Sequence, residues 1–104
     1  MLTMDPALEE LARLKSQDMA QNNYFAHESP AYGTASEMLT DAGYSYNGVG
    51  ENIAHYGDVY KAHEALMSSP GHAANILSNA WTKVGVGVAL DSRGYPLVTQ
   101  LFAF

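Results

Sequence analysis

The stretch Val84-Gly85-Val86-Gly87-Val88-Ala89-Leu90 constrains the fold more than any other part of the chain. Bulky side chains alternate with glycine and alanine at the two-residue period of a β-strand, so one strand face is bulky and the other nearly bare. A bare face means that something packs close to the strand backbone, and a helix is the element that fits. Asp91-Ser92-Arg93-Gly94 has turn chemistry, and Tyr95 to Phe102 reads as the returning strand of a hairpin.

The sequence ahead of this hairpin is helical in pattern. Asp5 is a natural N-cap, Pro6 suits the first helical position, and Leu8, Leu11, Ala12 and Met19 recur at helical spacing. The paired amides Asn22 and Asn23 favour a stop. Thr34 and Glu37 form a capping box for a second, short helix with Ala35, Met38, Leu39 and Ala42 inward and Gly43 as its stop. A third helix is predicted after Asp58, carrying Val59, Ala62, Ala65 and Leu66 inward. Ser69-Pro70-Gly71 breaks it and opens a further short helix through Ala73, Asn75 and Leu77. Helices first and an antiparallel hairpin last indicate an α+β layer fold.

At 104 residues the chain suits one domain, spanning 1–104. Its formal net charge of −6, with five scattered basic residues, argues against duplex nucleic acid and anionic membrane surfaces, which need clustered Lys and Arg. No apolar run approaches a bilayer span, and no basic segment followed by an apolar stretch opens the chain as a signal peptide would. The absence of cysteine excludes disulfides and thiolate metal clusters without assigning a compartment.

Chemistry centres on four histidines, His27, His55, His63 and His72. Two His-Glu pairs resemble the start of a helical zinc-protease motif, but Ala31 and Met67 stand where the second histidine belongs. His63 reads as a solvated helix residue, and His55 as a loop residue with no clear partner. His27 and His72 each sit beside a Ser and a Pro at an element boundary, where loops converge on the rim of a fold. Glu51, in Gly50-Glu51-Asn52-Ile53-Ala54, is a carboxylate beside an apolar run and needs solvent or a partner. By spacing alone, these three residues fit either a His-Glu-His constellation or separate capping roles.

A series of motifs favours the constellation. Asn23-Tyr24-Phe25-Ala26-His27-Glu28-Ser29-Pro30, Tyr32-Gly33 and Gly50-Glu51-Asn52-Ile53-Ala54 are followed by Ser69-Pro70-Gly71-His72-Ala73-Ala74-Asn75-Ile76-Leu77, Gly85-Val86-Gly87-Val88 and Thr99-Gln100-Leu101-Phe102. In this order they resemble the bacterial branch of the CAP superfamily (cysteine-rich secretory, antigen-5 and pathogenesis-related-1 proteins, or SCP-like extracellular domains). The resemblance implies an α-β-α sandwich with a central antiparallel sheet and an extracellular or cell-surface location. It also implies a surface cavity where His27, Glu51 and His72 converge, a cavity that in some members binds a divalent metal. Two imidazoles, a carboxylate and a water suit an open zinc site; the glutamate equally suits a role fixing one imidazole's tautomer without metal.

The sequence also departs from the family pattern. The usual first helix, bearing an Asn and an Arg, is missing ahead of Leu2, and an apolar face left by it would favour a homo-oligomer or a covering partner. A second cavity glutamate has no clear counterpart, since Glu64 faces solvent at helical spacing, and Leu66 replaces a usual Trp. The leading functional expectation is a binding module for a lipid, glycan or peptide, or a cell-wall or other extracellular partner. The alternatives are a hydrolase with Glu51 or a histidine as base and a metal-activated water, and an oligomerising structural domain. Ser29 and Ser69 lack a nucleophile-elbow sequence, and Ser69 reads better as a helix N-cap.

Overall fold

The computed structural model describes residues 2–55 and 81–104. The helices expected after Asp58 and around Ala73, together with His63, Glu64, Leu66, Ser69 and His72, lie outside the described residues.

Among the described residues, six elements follow in the order β1 (Thr3–Met4), α1 (Pro6–Asn22), α2 (Ala35–Asp41), β2 (Val49–His55), β3 (Lys83–Leu90) and β4 (Pro96–Ala103). The strands form one sheet in the order β1-β3-β4-β2. β4 pairs antiparallel with both β3 and β2, as the hairpin pattern predicts, and the two-residue β1 adds a parallel edge to β3. The fold is mixed α+β, with helices packed on a four-stranded sheet.

Both helix starts follow their sequence signals. Asp5 accepts from the backbone N–H groups of Ala7 and Leu8, and Pro6 opens α1. α1 ends at Asn23, whose left-handed φ of 53° turns the chain back on itself. At α2 the reciprocal capping box of Thr34 and Glu37 is complete. Met38 and Leu39 are buried as expected, but Ala42 is exposed.

The bare strand face is explained by α1. A Cβ on Gly87 would collide with the backbone nitrogen of Arg13, and one on Gly85 with that of Glu9. No side chain fits between helix and strand there. The seam is closed by hydroxyls: Ser16 Oγ donates to the Gly87 carbonyl at 3.0 Å. That leaves Thr99 Oγ1 to donate to Ser16 Oγ, 2.8 Å away. Leu8, Leu11, Ala12, Met38, Leu39, Leu101 and Ala103 form the main core cluster around this contact.

Register then fixes which side chains share the α1 face. Gly85 pairs with Leu101, which pairs with Glu51; Gly87 pairs with Thr99, which pairs with Ile53. Directly opposed residues point the same way. Glu51, Ile53 and His55 of β2 therefore lie on the α1 face of the sheet, and Asn52 lies on the other.

Candidate functional site

α1 carries a polar patch inside its apolar stripe. Positions 8, 11, 12, 15, 16 and 19 form one helical face, and Lys15 and Ser16 occupy two of them. Lys15 is only 2% exposed. Its ammonium donates to the backbone carbonyl of His27 at 2.6 Å. Burial pulls its pKa down, against the opposing pull of the Glu51 and Asp18 charges.

One turn further on, buried Asp18 gathers three donors. Asn22 Nδ2 reaches Oδ1 at 2.7 Å, while the Tyr24 and Ser29 hydroxyls both donate to Oδ2. Burial alone would raise the Asp18 carboxyl; the hydrogen bonds of Ser29, Tyr24 and Asn22 and the Lys15 charge outweigh it and hold the pKa below the ordinary value. The same environment pushes the Tyr24 phenol up to about 12, by burial and by its bond to Asp18. Ser29 Oγ in turn accepts from the backbone N–H groups of Ala31 and Tyr32, at 3.1 and 3.0 Å. Ser29 and Gly33 exchange backbone hydrogen bonds that close the loop on itself. Buried and bonded to Asp18 and to two backbone N–H groups, Ser29 is a structural hub of the loop.

The loop between α1 and α2 is thus pinned at His27 by Lys15 and at Ser29 by Asp18. The pinning brings the His27 ring to β2, where Nδ1 lies 2.8 Å from Glu51 Oε1. A carboxylate only accepts, so with Glu51 ionised Nδ1 carries the proton of this bond, and in a neutral ring Nε2 is the acceptor. The pair is asymmetric in exposure: the His27 side chain is 63% exposed and that of Glu51 5%. Burial raises the Glu51 pKa; the hydrogen bond from His27 and the Lys15 charge oppose the shift without cancelling it. Its second oxygen, Oε2, is buried with no hydrogen-bond partner among the described residues.

His27 and Glu51 are therefore brought together across 24 residues of sequence. No group of three His, Asp or Glu side chains that could hold a metal ion occurs among the described residues. His55 departs from its sequence reading. It ends β2, no loop, and its Nε2 lies 2.7 Å from Asp91 Oδ2 at the β3–β4 turn, because antiparallel pairing of β2 with β4 brings the two ends together. Lys15 and Asp18 are site residues that the sequence reading does not single out. The available signal is a charged residue in the inward stripe of an otherwise regular amphipathic helix.

The domain is thus an α+β unit in which a Lys-backed loop histidine is bonded to a strand glutamate, on a sheet with a helix laid on its glycine face. The chain belongs to the CAP, or cysteine-rich secretory protein, family, whose pattern it matches over residues 1–102. It is 45% identical over 87 residues to the protein YkwD of Bacillus subtilis, covering 83% of this chain and 34% of that protein. An extracellular protein of Bacillus anthracis containing an SCP domain superimposes with a TM-score of 0.86 at 34% identity, covering 99% of this chain and 33% of that one. An outer surface protein of Borrelia burgdorferi shares the fold with a TM-score of 0.87 at 20% identity, covering 98% of this chain and 76% of that one. The chain thus spans about a third of the length of its Bacillus relatives.

Proposed function

We propose that this chain is an extracellular binding module whose ligand is received at the His27–Glu51 corner, with His72 as a third contributing group. The observation that supports it is the orphaned Oε2 of Glu51. A buried carboxylate oxygen without a donor is costly, and a ligand that brings a donor or a cation relieves that cost. The exposed His27 ring offers a second acceptor through Nε2, on the side of the ring away from Glu51 and held in orientation by the Nδ1 bond.

The donor set fits a borderline divalent cation such as zinc. Glu51 and His27 are the oxygen and nitrogen donors the described residues would supply, an ion held by both taking the place of the proton between Nδ1 and Oε1, and His72 is the proposed third. Bound there, the cation would offer an open coordination position to a polar ligand. The protein's own part is to orient the imidazole and to keep Glu51 out of bulk water. The decisive experiment purifies the chain without added metal or a polyhistidine tag and measures zinc content in wild type and Glu51→Gln. Stoichiometric zinc that is lost in the variant supports the cation site, whereas none in either protein overturns it.

A His/Glu-dependent hydrolase is the second reading, and one observation favours it. Burial moves the Glu51 carboxyl upward, in the direction a general base at neutral pH requires. Turnover of an ester or peptide substrate that disappears in a folded His27→Ala protein would establish it over the binding reading.

A further inference from the structure

A cleft separate from the His27–Glu51 corner opens at the His55 end of β2. It encloses about 270 Å³ between the end of α1, the following loop and the β3–β4 turn. Met19, Phe25 and Leu97 give it an apolar wall, and His55, Asp91 and Arg93 line its polar edge. Phe25 is 49% exposed, so folding does not account for its place at the lip. Its ring lies 6.1 Å from that of His55. Glu51 and His55 are four residues apart on one strand, which separates the two sites by roughly 13 Å.

The polar edge carries the Asp91 carboxylate and the Arg93 guanidinium. Both oxygens of Asp91 are occupied: Oδ1 accepts from the backbone N–H groups of Arg93 and Tyr95, each at 2.9 Å, and Oδ2 faces His55 Nε2 at 2.7 Å. The Arg93 guanidinium lies 5.3 Å above the Tyr95 ring and has no carboxylate partner among the described residues. Arg93 nonetheless lines the same cleft as the apolar wall, and an arginine fork that can reach such a wall is suited to recognise a carboxylate carrying a hydrophobic group. The volume agrees: a cavity of about 150 Å³ holds benzene, so this cleft takes one ring and its carboxylate.

We infer that this cleft is a binding site for a small carboxylate bearing an aromatic or branched apolar group, with Arg93 pairing the carboxylate and Phe25, Met19 and Leu97 enclosing the apolar part. Two sources present that chemistry, a free organic acid and the C-terminal residue of a peptide.

The experiment titrates 15N-labelled protein with phenylacetate, with acetyl-Ala-Phe, with its C-terminal amide and with 2-phenylethanol. Saturable shifts centred on His55, Phe25 and the Arg93 side chain are expected for the carboxylates, with dissociation constants near ~1 mM, the range of a single small contact set. Arg93→Gln should weaken binding about tenfold, the loss of one charge-assisted pair, while His27→Ala leaves it unchanged. Binding of phenylacetate without the peptide assigns the site to free acids; binding of the peptide acid but not its amide assigns it to chain ends. Equal binding of 2-phenylethanol, unchanged affinity in Arg93→Gln, shifts centred on His27, or no saturation by any probe overturns the inference. Because the His27→Ala protein is scored separately, failure here leaves the reading of the His27–Glu51 corner untouched.

Discussion

The ammonium of Lys15 donates to the carbonyl of His27 at 2.6 Å, so a buried cation on α1 holds the backbone of the histidine whose ring is held by Glu51. Main chain and side chain of one loop residue are fixed from two different elements. The corner is preorganised by the helix, and the sheet supplies only the carboxylate.

Lys15→Met tests that relationship. Methionine preserves the length and apolar stem of the side chain while removing the bond to His27. Stability should fall by about 1–3 kcal/mol, the range for a buried acceptor losing its donor. Amide exchange should quicken in residues 24–33 before it does so in β3 or β4. Uniform exchange across the chain would show that the loop is not held from Lys15.

Asp18 predicts an acid-range signature. Its pKa is lowered in the folded protein, so its contribution is present above the unfolded value of about 3.9 and is lost as pH falls through the lower native value. Asp18→Asn should be less stable than wild type at neutral pH, and the gap should close as pH falls through that acid window. Urea titrations from neutral to strongly acidic pH measure it.

Glu51 predicts the opposite slope. Its native pKa is raised, so the folded state holds the proton more tightly, and stability falls as pH rises from the unfolded value of about 4.3 through the native one. Relative to wild type, Glu51→Gln should therefore gain stability across that window. A constant difference between the two proteins would contradict the burial of this carboxylate.

Two glycines should separate in their response to alanine. At Gly87 the added Cβ meets the backbone of Arg13, so Gly87→Ala must push α1 off the sheet and should cost at least about 3 kcal/mol. Gly43 has a φ of +75° and open space around its Cβ position. Gly43→Ala should cost only about 1 kcal/mol, the strain of a left-handed residue. Thermal unfolding of the two variants makes the comparison.

What is legible in the sequence is whatever is specified locally. The Asp5 cap, the Thr34–Glu37 capping box and the Asp91–Gly94 turn each form their contacts within a few residues, so spacing is enough to place their elements. The bare strand face anticipates a helix packed on it. β2 is harder to read because its inward positions run Glu51, Ile53 and His55, and the two polar groups have their partners on other elements. The need of Glu51 for a partner is readable from burial logic, but the Asp91 partner of His55 is not. That contact depends on strand order, which no local pattern encodes. Lys15 and Asp18 escape the sequence for a related reason: a charged residue on a helix reads as solvent-facing until a loop is known to close over it.

The glycine seam has an implication for how this scaffold tolerates change. Because main chain touches main chain along Gly85 and Gly87, there is no cushion of side chains to absorb a slip of the helix along the strand. Any such slip would carry the anchor points at positions 15 and 18 with it and misalign the loop between α1 and α2. Sequence change in such a domain is thus channelled into exposed loop residues, while the pair of elements beneath them behaves as a fixed chassis.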